Sequence, residues 1–337
     1  MAVMTMRDAL NQALHEEMER DPSVIVMGED VSGGAGGTSG TRDAAGGIFG
    51  VTKGLLPRFG EDRVIDTPIS ESAIVGLANG AALAGMRPVA ELMFADFVGV
   101  SMDQIYNQMA KFRYMFGGKA KTPVVLRMSM GAGMNAAAQH SQTIYPMLSA
   151  IPGLKVCVPS TPADAKGMLA TAIRDDDPVI FFEHKALYSR KGEVPEGEHL
   201  VPFGEAALLR EGRDATVVTI ARMTNFALKA VDKLAEEGIT CDLIDMRTTS
   251  PIDEETILES LSQTGRLVVV DESNPICSIA SEVASLAATK GFHDLMAPVQ
   301  KVTAPHTPVP FARELERMYV PSPSDIEAAV RAVLKEV

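Results

Sequence analysis

Short runs of β-branched residues alternate with longer helical patterns along most of the chain. In the first half these runs lie at Val24–Met27, Val64–Ile65, Val89–Leu92, Val124–Leu126, Val156–Val158 and Val179–Phe182. Helical patterns lie between them at Ala73–Ala84, Asp96–Met109 and Ala163–Ala172. This alternation predicts βαβ units around a buried, mainly parallel sheet, so we expect an α/β protein.

A polar stretch with proline and glycine, Lys191–His199, interrupts this rhythm and is typical of a linker. The alternation then resumes, with strand patterns at 215–220, 241–244, 267–270 and 299–302 and helical patterns at 225–237, 253–261, 278–288 and 324–335. At about 150 residues per domain, the 337 residues fit two domains. We therefore predict a first domain over 1–188, a linker over 189–203 and a second domain over 204–337.

Charge and cysteine content exclude several classes of protein. The formal net charge of −13 argues against a nucleic-acid partner. The three cysteines, at 157, 241 and 277, are too few and too far apart for a disulfide framework or a CxxC metal site, which fits a reducing compartment. No apolar run approaches the roughly twenty residues that a membrane span needs, and the N-terminus carries no secretion pattern. We therefore expect a cytoplasmic protein with no membrane partner.

Two glycine patterns leave alternatives open. Gly131, Gly133 and Ala136 fit G-x-G-x-x-A after a strand, which keeps a nicotinamide-dependent oxidoreductase as an alternative. That fingerprint also needs an acid about twenty residues later, whereas the next acid here is Asp164. The glycine-rich segment Ser32–Gly50 is either a mobile surface loop or a loop that orders over a ligand.

The hexapeptide Asp66–Glu71 is the sharpest local feature. It leaves a strand, turns at Pro68 and enters a helix that Ser70 can cap, with Glu71 in the first turn, where the helix dipole favours a carboxylate. Glu71 is either only a capping acid or a group with a tuned pKa. The helix that follows is apolar nearly all round, which predicts that it is buried and that Glu71 lies at the mouth of a dry interior.

Two further segments carry residues suited to a binding site. Met93 and Phe97 follow a strand and can stack on a flat ring, and His140 lies in a loop of small residues, Ala138–Gln142. A single histidine in such a loop is either structural or catalytic, and its small neighbours leave room for a substrate.

A set of segments in a fixed order resembles one family along the whole chain. These are Gly28–Asp30, Asp66–Glu71, Gly85–Pro88, Ala138–Gln142, Pro152–Lys155, Val158–Ser160, Ala172–Asp175 and Pro305–Pro310. The family is the β subunit of the thiamine-diphosphate-dependent E1 component of 2-oxo acid and acetoin dehydrogenase complexes. The chain looks most like the acetoin members, because of the long glycine-rich insert that ends in Gly47–Gly54 and because of Ala110–Gly118.

The resemblance implies a pyrimidine-binding, transketolase-like domain followed by a transketolase-type C-terminal domain. It also implies roles for named residues. Glu71 matches the carboxyl that bonds N1′ of the aminopyrimidine and drives formation of the reactive tautomer, and Phe97 matches the ring that stacks on it. Met93 lies nearby, and Glu29 matches a second acid near the cofactor. His140 matches a histidine that assists substrate binding and acyl transfer to the lipoyl arm.

The same resemblance implies two ion sites. A monovalent cation, such as K⁺, would be held largely by backbone carbonyls of Val124, Ala172, Ile173, Asp175 and Asp177. Pyruvate-type relatives often carry Asn where Asp177 stands. The family holds the diphosphate through Mg²⁺ on a Gly-Asp-Gly motif, and this sequence has none. The Mg²⁺ site is therefore expected on a separate α subunit, in an α2β2 heterotetramer.

The predicted reaction is the cleavage of acetoin, or the decarboxylation of a 2-oxo acid, with transfer of the acyl unit to the lipoyl group of an E2 acyltransferase. Pyruvate dehydrogenase E1 β is the alternative within the family. A non-catalytic scaffold subunit is an alternative from another class.

Overall fold

The chain forms two compact units in the computed structural model, which describes residues 1–33 and 46–335. Unit 1 comprises Met1–Met130 and Leu148–Pro202, and unit 2 comprises Gly131–Met147 and Phe203–Val337. The segment Gly131–Met147, which the sequence assigned to the first domain, therefore groups with the second unit.

Unit 1 is built around parallel strands. Its strands are β1 (Ala2–Thr5), β2 (Val24–Gly28), β3 (Val64–Asp66), β4 (Arg87–Phe94), β5 (Val125–Met130), β6 (Lys155–Cys157), β7 (Val179–His184) and β8 (Lys191–Val194). The first half of the chain also forms helices α1 (Met6–Arg20), α2 (Leu55–Phe59), α3 (Glu71–Leu83), α4 (Phe112–Met115), α5 (Tyr145–Ser149) and α6 (Pro162–Arg174). Six of the strands pair in parallel in the order β6-β7-β5-β4-β2-β3. Both β5 and β7 are buried along their whole length, as a sheet covered on both faces requires.

The predicted helix over Asp96–Met109 differs from the structure. The chain forms a 3₁₀ helix over Ala95–Ser101 and then a π-helical turn over Gln104–Met109. Gly99, between Val98 and Val100, explains the break, because glycine and β-branched residues are weak α-helix formers.

Helix α3 is buried on one side only. Ile74, Val75 and Ala78 face the core, whereas Leu77 is 54% exposed and Leu83 is 43% exposed. The prediction that this helix is buried all round is therefore wrong for the single chain. An apolar pattern shows that a face avoids water, but it does not show whether the same chain covers that face.

The segment predicted as a linker is partly a strand. β8 pairs antiparallel with β1, with Ala2 opposite Val194 and Thr5 opposite Lys191. The first residues of the chain therefore lie beside the end of unit 1.

Unit 2 repeats the α/β pattern on a smaller sheet. Its strands are β9 (Ala207–Arg210), β10 (Ala215–Thr219), β11 (Cys241–Asp245), β12 (Thr248–Ser250), β13 (Leu267–Asp271) and β14 (Gln300–Thr303). Its helices are α7 (Arg222–Glu236), α8 (Glu254–Thr264), α9 (Ile279–Lys290), α10 (Arg313–Tyr319) and α11 (Pro323–Lys335). Five strands pair in the order β14-β13-β10-β11-β9, and only β9 is antiparallel to its neighbour. The predicted α/β class is confirmed in both units.

The core of unit 2 lies where helices α7 and α11 pack on the sheet. Val217 and Leu243 from the sheet, with Leu234 from α7 and Val330 from α11, belong to one fully buried cluster. Across the described ranges 1–33 and 46–335, none of the helices combines the length and apolar character that a membrane crossing needs.

Candidate functional site

The carboxyl ends of β2, β3 and β4 meet at one edge of the unit 1 sheet. Gly28, the last residue of β2, is paired in register with Asp66 of β3 and with Glu91 of β4. Ligands of open α/β sheets bind at such edges, outside the carboxyl ends of the strands. Glu29 follows β2 directly, and the hexapeptide that ends in Glu71 follows β3. The sheet therefore brings these predicted site residues to the same edge.

Two carboxylates interact at this edge. Glu71 is the first residue of α3 and is half-buried. Glu29 is also half-buried, and its pKa is raised by burial first, then by the charges of Asp30 and Glu71. Ser70 occupies the N-cap position, but its hydroxyl makes no capping bond. A carboxyl at the start of a helix, with a second carboxyl beside it, can form a hydrogen bond with a ring nitrogen of a bound heterocycle.

Asp66 ties the glycine-rich segment to the same edge. Its carboxylate accepts hydrogen bonds from the backbone N of Ser32, at 2.7 Å, and from the Ser32 hydroxyl. Of the segment Ser32–Gly50, residues 34–45 lie outside the described ranges, so the choice between a surface loop and a ligand-covering loop stays open.

The other end of that segment joins a chain of aromatic contacts. The Phe49 ring centroid lies 5.0 Å from that of Tyr188 and 5.8 Å from that of Phe94. Phe94 in turn meets Phe97 edge-on at 5.6 Å. Phe97 therefore packs against the Phe94 ring. Phe97 and Met93 of β4 are both half-buried. These two residues offer an apolar surface on which a flat heterocycle can stack.

A buried ion network lies beside Met93 and was missed by the sequence analysis. Arg127 is 2% exposed; its Nε donates to Glu183 Oε1 at 2.6 Å, and its Nη1 donates to Glu91 Oε2 at 2.7 Å. The Tyr188 hydroxyl donates to Glu183 Oε2 at 2.7 Å. Burial raises the pKa of Glu91, and the Arg127 charge opposes that rise. Arg127, between the apolar residues Leu126 and Met128 of a buried strand, was the signal that could have revealed this network.

His140 belongs to unit 2, in the segment Gly131–Met147. It is half-buried, and its backbone N lies 3.4 Å from the carbonyl oxygen of Ala137. The pattern Gly131-x-Gly133-x-x-Ala136 precedes it, but turns rather than a helix follow, and the amides of Gly133 and Asn135 bond Glu316. Those amides are therefore engaged by a carboxylate of the chain, which argues against a dinucleotide phosphate at this place.

The residues implied as a monovalent-cation site lie around the end of α6 and the adjoining strands of unit 1. Nη1 of Arg87 lies 3.1 Å from the carbonyl oxygen of Ile173 and 2.9 Å from that of Asp175. The carbonyl oxygen of Val124 accepts a bond from the backbone N of Val179 at 2.9 Å.

The acids of this set are paired with cationic side chains. Asp177 binds Arg113, and Nζ of Lys155 lies 2.5 Å from Asp175 Oδ2. The carbonyl oxygen of Ala172 accepts from the backbone N of Asp175 at 3.3 Å. Within the part of the chain that the structure describes, no three His, Cys, Asp or Glu side chains are grouped to hold a metal ion. The cation site stays a prediction.

Similarity to known proteins extends over nearly the whole chain. Residues 2–191 match the family model of the transketolase pyrimidine-binding domain, and residues 204–326 match that of the transketolase C-terminal domain. A β subunit of acetoin:2,6-dichlorophenolindophenol oxidoreductase from Cupriavidus necator is 57% identical over 332 residues, covering 98% of each chain. The corresponding subunit of Bacillus subtilis is 51% identical over 99% of this chain and 98% of its own.

Two further relatives are more distant. The pyruvate dehydrogenase E1 component subunit β of Bacillus subtilis is 42% identical, covering 99% of this chain and 100% of its own. Among solved structures, a split-gene transketolase described as an inactive β4 tetramer superposes with a TM-score of 0.78 at 26% identity, covering 99% of each chain.

Proposed function

The chain belongs to the family of E1 β subunits of acetoin and 2-oxo acid dehydrogenase complexes, and we propose that it supplies the pyrimidine half of a thiamine diphosphate site that cleaves acetoin. The single observation that carries this proposal is that Glu29, directly after β2, and Glu71, at the start of α3, lie together at the carboxyl end of the unit 1 sheet. Thiamine catalysis needs a carboxyl that shares a proton with the aminopyrimidine ring, and this pair offers one.

The residues at this edge fit the aminopyrimidine. Glu71 would bond the ring nitrogen N1′, Phe97 and Met93 would contact the ring face, and Glu29 would adjust the charge around Glu71. When bound, thiamine diphosphate supplies a carbon nucleophile that attacks the substrate carbonyl. The work of this chain is to hold the proton at Glu71, to orient the ring and to exclude water with the apolar residues.

The diphosphate requires a second chain. No Gly-Asp-Gly motif is present in the sequence. We therefore infer that an α subunit holds Mg²⁺ and the diphosphate, in an α2β2 assembly. The apolar side of α3, with Leu77 and Leu83 exposed at the surface, supports a partner chain on this face. A monovalent cation, such as K⁺, at the carbonyls near Asp175 remains part of the proposal.

Acetoin is the preferred substrate because identity falls from 57% and 51% in two acetoin-named relatives to 42% in a pyruvate-named one. His140 would assist substrate binding and transfer of the two-carbon unit to the lipoyl group of an E2 acyltransferase. The free cysteines at 157, 241 and 277 fit a reducing compartment. The cytoplasm is therefore the location that we propose.

Replacing Glu71 with glutamine tests the proposal. Glutamine keeps the size of the side chain but cannot share a carboxyl proton, so acetoin-dependent dye reduction by the chain with its α subunit should fall about 10²–10⁴-fold. Steady-state turnover with 2,6-dichlorophenolindophenol measures this, and circular dichroism verifies the fold. Glu255→Gln is a matched control, because Glu255 also lies in the first turn of a helix and is exposed. Turnover of Glu71→Gln equal to that of Glu255→Gln would refute the assigned role.

A further inference from the structure

A buried glutamate of unit 2 accepts hydrogen bonds from the loop that carries His140. Glu316 lies on α10 and is 3% exposed. Its Oε1 accepts the backbone N–H of Gly133 at 2.7 Å, and its Oε2 accepts the backbone N–H of Asn135 at 3.0 Å. The side-chain amide of Asn135 also donates to Oε2, at 3.0 Å. One carboxylate thus satisfies three donors of the same short segment, and charged acceptors make the stronger hydrogen bonds.

Other side chains of unit 2 bind the same loop before Gly133 and after His140. Glu272, also 3% exposed, accepts the backbone N–H of Ala132 at 2.7 Å. Nη1 of Arg222 donates to the carbonyl oxygen of Ala132 at 2.9 Å. The Tyr145 hydroxyl donates to Asp271 at the far end of the loop. The loop is therefore anchored before and after His140 by side chains of its own unit.

The backbone of this loop needs such anchors. Asn135 and Ala137 have positive φ angles of 55° and 61°. These lie in the left-handed region, which residues other than glycine rarely adopt. The Glu316 carboxylate bonds Asn135 directly, two residues before Ala137. Without the carboxylate, the strained turn would relax and its amides would lack their acceptor.

We propose that Glu316 is a positioning residue that holds the turn Gly133–Ala137 and thereby sets the place of His140. It does not touch the substrate. The proposal rests on the role of His140 given under the proposed function, and it adds the device by which unit 2 controls that residue. The glycine pattern that resembled a dinucleotide site is, on this view, a nest for an internal carboxylate.

Glu316→Gln is the direct test, because it places an NH₂ donor where a carboxylate oxygen now accepts backbone amides. Glu314→Gln is the matched control, since Glu314 lies on the same helix and is exposed. In the assembled α/β enzyme, hydrogen–deuterium exchange of peptides over 131–142 should speed up at least tenfold in Glu316→Gln and remain unchanged in Glu314→Gln. Unchanged exchange in Glu316→Gln would overturn the proposal.

A double-mutant cycle separates positioning from a general structural role. Acyl transfer to lipoyl-E2 is measured in the wild type, Glu316→Gln, His140→Ala and the double variant. If Glu316 acts through His140, Glu316→Gln lowers transfer about tenfold in the wild type and less than twofold in the His140→Ala background. Equal factors in both backgrounds would show a merely structural role and overturn the proposal.

If His140→Ala leaves transfer unchanged, the proposed role of His140 fails, and the exchange experiment alone decides whether Glu316 positions the loop. If Glu316→Gln does not assemble, Asn135→Asp replaces it, because it keeps the side-chain size, tolerates the positive φ and cannot donate to Oε2. Faster exchange over 131–142 in that variant supports the proposal, and unchanged exchange contradicts it.

Discussion

Replacing Arg127 with methionine tests whether the buried ion network stabilises unit 1. The guanidinium is 2% exposed, and the side chains of its partners Glu183 and Glu91 are 1% and 12% exposed. Methionine fills a similar volume but leaves the two carboxylates facing each other without a cation. Breaking a buried pair by removing one partner costs about 3–5 kcal/mol, because the remaining charge stays buried and unpaired.

This cost predicts a clear shift in the melting temperature. For a unit of this size, each kcal/mol lowers the melting temperature by about 2–4 °C, so Arg127→Met should lose about 6–20 °C. The control is Arg210→Met, since Arg210 pairs with Asp232 at 2.8 Å and both side chains are about half exposed. An exposed pair is worth about 0.2–1 kcal/mol, so the control should lose about 4 °C or less.

The measurement is thermal unfolding by circular dichroism of the chain purified with its α subunit. Arg127→Lys should fall between the two variants, because it keeps the charge but loses the paired bonds to Glu183. The reasoning fails if Arg127→Met loses no more than Arg210→Met. In that case the stability of unit 1 would not depend on the arginine charge.

Two further predictions concern the partners. The isolated β chain should bind thiamine diphosphate at least 100-fold more weakly than the α/β enzyme, because it lacks the Mg²⁺-diphosphate motif; titration calorimetry that found micromolar, Mg²⁺-dependent binding would contradict this. The net charge of −13 predicts that E2 binding weakens as salt screens it, while dye-coupled turnover changes little. E2 affinity measured by surface plasmon resonance at 0.05 and 0.5 M salt decides this, and a constant affinity would assign the acidity to solubility alone. Two acids at the start of α8 are already engaged within the chain, because Asp253 caps the helix and Glu254 pairs with Lys290.

Three residues that the sequence singled out lie at one edge of the unit 1 sheet, because each is close along the chain to the strand that places it. Glu29 follows β2 directly, Glu71 follows the turn after β3, and Met93 lies on β4 itself. Parallel strands bring their carboxyl ends to the same edge of a sheet, so residues near the ends of neighbouring strands come together once the strand order is known.

Contacts between distant residues could not be predicted in the same way. Arg127 meets Glu91 and Glu183 across separations of 36 and 56 residues, and Glu316 reaches Asn135 across 181. No local pattern marks such pairs, since each depends on the register of the sheet or on the path of a loop. The exposed side of α3 was missed for a different reason. The hydrophobicity of a helix does not specify whether its apolar side packs against the same chain or against another one.

The pairing of β1 with β8 has a consequence for synthesis of the protein on the ribosome. Thr5 lies opposite Lys191, and Glu17 of α1 binds Arg174 of α6 through Nη2 at 2.7 Å. Strand β1 therefore cannot pair with β8 until the ribosome has synthesised the chain as far as Val194. Helix α1 cannot pack on α6 until nearly the same point. At about 5–20 residues per second, that delay lasts roughly 10–40 seconds. For most of it, the side of α1 that will pack on α6 remains available to chaperones, and unit 1 completes its fold only when its last strand leaves the exit tunnel.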